Sequence, residues 1–154
     1  MKRTHWLRAA VLVATLAPQV HAQDKALRQE IDALHAGMVA AFKTDPATLA
    51  RFYADDASIL GGGGRYVGRT QVDQYWREGS SMIAEWNLEV LEVGGDTTTP
   101  WVRGRSTMLG KSGRRMVTEY IGLLKRQPDG QLRFYVDMYV AASPGPRRSP
   151  GSEL

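Results

Sequence analysis

The chain has 154 residues, with 20 Lys and Arg, 16 Asp and Glu, three His and no Cys. That length suits one domain able to bury its own core, and the missing cysteine excludes disulfides, thiolate zinc sites and cysteine nucleophiles. Residues 1–22 hold three of the basic side chains, two of the histidines and no acid, so the remainder is nearly neutral, at 17 basic against 16 acidic, and gives no case for nucleic-acid binding.

Lys2, Arg3 and Arg8 precede the apolar run Ala9 to Ala17, which is broken only by Thr15 and ends at Pro18. Val20-His21-Ala22 places small or tolerated residues at the −3 and −1 positions of a cleavage site. The pattern predicts a signal peptide over residues 1–22 and export to the periplasm or the extracellular space. The run is too short for a membrane helix, which needs ~20 apolar residues, and no second stretch would hold the mature chain in a membrane. With His35 the single histidine left, histidine metal clusters and Ser-His-Asp catalysis are not expected, and no metal or cofactor is.

Asp24 is placed to cap a helix running to about Lys43, with Leu27, Ile31, Leu34, Met38 and Phe42 on one apolar stripe. Thr44-Asp45-Pro46 marks a break, and a short second helix follows, burying Leu49, Phe52 and Tyr53 and ending near Ala54-Asp55-Asp56. Residues 57–60 are a strand candidate and Gly61–Gly64 a flexible loop that could act as a lid; it lacks the lysine of a phosphate-binding loop. Gly68-Arg69-Thr70 opens a third helix bearing Val72, Tyr75 and Trp76. The period then changes to two, with Trp86, Leu88 and Val90 alternating against polar neighbours. Strands over 100–109, 114–126 and 131–142 are separated by turns at Gly110-Lys111-Ser112-Gly113 and Pro128-Asp129-Gly130. The expectation is α+β: helices packed on one face of a curved four-stranded antiparallel meander, in a domain spanning 23–142. Residues 143–154, with three prolines and no apolar side chain before Leu154, read as a disordered tail.

Four segments in this order resemble the nuclear transport factor 2-like superfamily, which includes the ketosteroid isomerases and the SnoaL-like polyketide cyclases. They are Phe52-Tyr53-Ala54-Asp55-Asp56-Ala57, Gly68-Arg69-Thr70-Gln71-Val72, Pro128-Asp129-Gly130 and the last strand, Leu132 to Tyr139. The likeness covers about residues 26–141 and is closest in style to small exported members of unknown function. It implies a cone-shaped fold with a pocket between helices and sheet; fold alone does not settle chemistry. The isomerase's general base would fall at Gly61, its oxyanion-hole tyrosine at Gly37 and its protonated acid near Gly122. A base and two donors are that mechanism, so the resemblance argues against ketosteroid isomerase activity.

The resemblance also assigns sheet faces. It places Trp101, Arg103, Arg105 and Thr107 on the pocket side, with Tyr120 from the next strand and Tyr135, Asp137 and Tyr139 from the last. Val117, Ile121 and Leu123, together with Leu132, Phe134, Val136, Met138 and Val140, then form an outer apolar stripe suited to a homodimer interface. With the opposite parity that stripe is core and the arginines are solvated. The leading expectation is an exported binding domain with a polar-aromatic pocket, its ligand a small organic acid gripped by an arginine. One alternative is an isomerase, cyclase or hydrolase using Asp137 as general base; another is a non-catalytic dimeric interaction module.

Overall fold

The computed structural model describes residues 17–142, with side chains from Asp24 onward. The expected leader up to residue 16 and the expected tail lie outside the described residues. Helix α1 (Ala17–Thr44) begins ahead of Asp24, with Pro18 in its first turn, where a missing N–H is harmless. Leu27, Ile31, Met38 and Phe42 are buried as the stripe requires. The helix ends where the Thr44 hydroxyl folds back on the Ala40 and Ala41 carbonyls. Asp45 then caps a short 3-10 helix, Pro46–Phe52, by accepting from the Ala47 N–H at 3.1 Å.

That helix stops earlier than expected, because Tyr53 already belongs to strand β1 (Tyr53–Gly61). Arg69 fixes the crossing. Its guanidinium donates to the carbonyl oxygens of Ala50 and Tyr53 and to Asp55, the last at 2.6 Å. The two segments that carry the family resemblance near the N-terminus therefore meet in one ion pair, while Asp56 pairs with Lys125 at 3.2 Å.

Gly61–Gly64 forms a tight hairpin into strand β2 (Gly64–Val67), not a loose loop. Gly62 and Gly63 both have positive φ, 59° and 84°, which such a turn requires. Helix α2 (Gly68–Ser80) follows and buries Val72 and Trp76. Strands β3 (Ile83–Gly94), β4 (Trp101–Gly110), β5 (Arg115–Arg126) and β6 (Leu132–Ala141) are the expected meander. The sheet nevertheless has six strands, ordered β2-β1-β6-β5-β4-β3, and β1 joins β6 in parallel, so it is mixed. Against its concave side α1 packs on β3 and α2 on β1. The core lies in this α+β cone, and Arg126 clamps the far end by a bidentate bond to Glu30 of α1, at 2.7 and 2.8 Å.

Candidate functional site

Strand register decides which side chains reach the space under the helices. β4 pairs with β5 so that Gly104 lies opposite Tyr120 and Arg105 opposite Glu119. Directly opposed residues share a face. With Tyr120 facing the helices, Val102, Gly104 and Ser106 face them too. Trp101, Arg103, Arg105 and Thr107 therefore point away, contrary to expectation. There Arg103 pairs with Glu92 at 3.2 Å, and Arg105 with Glu89 and Glu119 at 3.5 and 3.6 Å. The cause is the length of the Gly110–Arg114 connection, since a one-residue slip exchanges the two faces of a strand.

β6 changes face within itself. Leu124 lies opposite Phe134 and Leu123 opposite Val136, which leaves Tyr135 as the extra residue of a bulge. Before the bulge, Leu132 and Phe134 point inward and are buried, against the expectation that placed them on the outer stripe. Tyr135 turns outward, and the Lys125 ammonium lies 3.2 Å from its ring centroid. Beyond it, Asp137 and Tyr139 face the helices as expected, while Met138 and Val140 remain exposed outside.

The inward groups enclose a cavity of about 40 Å³, room for a few water molecules. His35 and Met38 reach it from α1, and Tyr75 and Trp76 from α2. Tyr53, Tyr120, Asp137 and Tyr139 close it from the sheet, with Trp86 and Ser106 at the side. Asp137 is the centre of its chemistry. Its Oδ2 accepts from the fully buried Tyr53 hydroxyl at 2.8 Å, its only hydrogen bond among the described residues. Burial pushes the Asp137 carboxyl up to about 6, against the opposing pull of the Tyr53 bond. Burial, and then the charge of Asp137, drive the Tyr53 phenol well above its usual range. No lysine or arginine lines the cavity.

A second polar pair stands beside it. His35 Nδ1 lies 2.7 Å from the Ile31 carbonyl, and Nε2 lies 2.9 Å from the Tyr120 hydroxyl. A carbonyl only accepts, so Nδ1 carries the proton. Burial lowers the pKa of His35, favouring the neutral ring, so Nε2 accepts from Tyr120. Tyr75 donates to the Tyr139 hydroxyl at 3.1 Å. Trp86 donates to Ser106 at 2.8 Å, whereas the buried Trp76 indole N–H has no partner. Such a group is costly to leave unmet.

The three glycines at the isomerase positions are seats for aromatic rings. A Cβ on Gly61 would come within 2.4 Å of Tyr139, and one on Gly122 within 2.3 Å of Phe134. At Gly37 it would meet Phe52 at 3.2 Å. Gly104 makes the same concession to Tyr120, whose hydroxyl would lie 2.3 Å from an added Cβ. Where the resemblance would put a base and two donors, this chain has packed rings.

Of the residues expected on the pocket side, Tyr120, Asp137 and Tyr139 line this cavity. Sequence reasoning did not place Tyr53, Tyr75, Trp76, Trp86 or His35 in the wall of a pocket. The one signal that could have found Tyr53 is its place in the Phe52–Ala57 segment, had the strand been started there.

Helices cradled on the concave face of a curved mixed sheet, with an aromatic cavity between, define a nuclear transport factor 2-like domain. The solved structures agree. A ketosteroid isomerase-like protein from Erwinia carotovora atroseptica is similar at 19% identity and TM-score 0.64, over 75% of this chain and 96% of that one. An NTF-2 like protein of unknown function from Shewanella oneidensis matches at 13% identity and TM-score 0.65, over 73% and 98%. A cystatin-like fold protein of unknown function from Nostoc punctiforme matches at 14% and 0.63, over 77% and 93%. None of the curated proteins matches the chain in sequence. The SnoaL-like domain family matches over residues 27–135, and the chain belongs to that family.

Proposed function

We propose that the chain binds a small organic molecule in the cavity beneath α1 and α2, with Asp137 as the group that meets it. The observation that carries this reading is a partly accessible carboxyl, set among aromatic rings without a basic partner. Structural carboxylates inside proteins are normally paired. The arginines behind the organic-acid expectation stand on the other face, so a neutral or positive ligand takes that acid's place. At about 40 Å³ the cavity admits more than a few waters only if Tyr75 or Tyr139, both partly exposed, swings aside. Export after removal of residues 1–22 belongs to the same proposal, as does pairing of two chains through Ile121, Met138 and Val140, which are 50, 49 and 64% exposed.

A second reading, acid–base catalysis, is favoured by the carboxyl's rise to about 6 in a cavity that Trp76 also lines. A base with a pKa near neutrality suits proton removal alpha to a carbonyl. Titration of the full chain with acetone, cyclopentanone and phenol, followed at the Trp76 and Trp86 indole resonances, tests binding. Saturable shifts, weakened in Asp137→Asn, are expected; no shift with any probe overturns the reading and leaves the outer face as the working surface. Deuterium uptake at the α-carbon of cyclopentanone, lost in Asp137→Asn, would establish the catalytic version. Binding without uptake would restrict the protein to binding.

A further inference from the structure

The lining of the cavity specifies more than a small ligand. Its single carboxyl is ringed by Tyr53, Tyr75, Trp76, Tyr120 and Tyr139, and no ammonium or guanidinium reaches it. Elsewhere the described carboxylates mostly find cations: Asp55 has Arg69, Asp56 has Lys125, Glu30 has Arg126 and Glu92 has Arg103. Aromatic faces are themselves attractive to cations, because the ring quadrupole is negative over its centre. The chain uses that attraction on its other face, where Lys125 sits on Tyr135. Inside, both halves of a cation site are present and the cation is not part of the chain.

We propose that the cavity recognises a small organic cation, an alkylated ammonium group, with Asp137 supplying the countercharge and the surrounding rings the contact surface. The inference rests on the small-ligand reading above and names the class of ligand. An anion would face Asp137 with nothing to balance it. A neutral molecule could add a hydrogen bond beside that of Tyr53 but would leave the carboxylate's charge unbalanced. An alkylammonium group offers diffuse positive charge and apolar surface together, which matches a wall of rings around one carboxylate. Tyr75 and Tyr139, both partly exposed and meeting through their hydroxyls at 3.1 Å, would part to receive it.

The experiment compares three molecules of nearly one shape and different charge: choline, 3,3-dimethylbutan-1-ol and 3,3-dimethylbutanoate. Each is titrated into the full chain at pH 7.5 and low salt, with the Trp76 and Trp86 indole signals as readout. Methylammonium is included as a smaller cation. Choline or methylammonium should bind at least tenfold more tightly than the neutral alcohol, and the carboxylate should not bind. Asp137→Asn should remove most of that preference while keeping the fold, judged by the unchanged amide spectrum. If the alcohol binds as well as the cations, or the anion binds best, the cation assignment is overturned and the small-ligand reading stands. If none of the four binds while acetone or phenol does, the outcome is the same. If nothing binds at all, both readings fail together.

Discussion

The two faces of the sheet treat charge in opposite ways. On the outer face Arg103 and Arg105 lie half-exposed, each against glutamates of neighbouring strands. On the inner face one carboxyl, Asp137, is held by a phenol and has no cation. Surface pairs of the first kind contribute little, because water screens them. A partly buried, desolvated acid of the second kind costs stability whenever it is ionised. Perturbed carboxyls of this kind are enriched at functional sites, and the proposed ligand site is built on that.

Substitutions on the two sides of the β6 bulge should separate the faces most widely. Phe134→Ala removes a ring packed over Gly122 and against Tyr53, and should cost about 3–5 kcal/mol in denaturant unfolding. Its neighbour Tyr135→Ala loses an outward ring and one cation–π contact and should cost only about 1 kcal/mol. Equal losses would mean the bulge is misplaced.

Asp137 gives the next largest effect, and its sign depends on pH. Because the folded-state pKa is raised from 3.8 to about 6, the folded protein binds the extra proton between those values. The associated stability is full below about pH 4 and lost as pH rises through about 6. Asp137→Asn removes this dependence, so it should be more stable than the parent by about 3 kcal/mol at pH 7.5 and within about 1 kcal/mol of it at pH 4. His35 carries the opposite sign: its pKa is lowered by burial, so its contribution is present above its ordinary value near 6.5 and fades as pH falls. Parallel stability curves for the parent and Asp137→Asn from pH 4 to 7.5 would refute the assignment.

Tyr120→Phe strips His35 Nε2 of its donor and should cost about 1–2 kcal/mol, since a buried acceptor is left unmet. Smallest of all, Arg103→Ala should change stability by less than about 1 kcal/mol and leave every titration at the cavity unaltered. Loss of binding in that variant would restore the arginine-based site that the register argues against.

Much of this fold could be read from the chain. The stripe from Leu27 to Phe42, the period-two run through Trp86, Leu88 and Val90, and the glycine turns each depend on neighbours in sequence. Strand β2 is not legible because its four residues, starting on the last glycine of the Gly61–Gly64 run and ending before Gly68, carry too little pattern. The parallel β1–β6 pairing was missed because it joins segments far apart in the chain. The site was half legible. Tyr120, Asp137 and Tyr139 were assigned to the right face, but Arg103 and Arg105 were not, because turn length sets β4's register against β5. On β6 a single bulge at Tyr135 gives one strand two parities, so no uniform alternation could place both Phe134 and Asp137. His35 reads as a lone helical histidine until Tyr120, from a distant strand, is brought within 2.9 Å of it.

The measurement closest to the central claim is the titration of the Asp137 side-chain carboxyl, followed by carbon-13 NMR on the full chain and assigned by its absence in Asp137→Asn. An inner carboxyl without a cation should titrate near 6, as burial requires. A midpoint near 4, the value of a solvated aspartate, would place Asp137 in water and contradict the cavity as the working site of this protein.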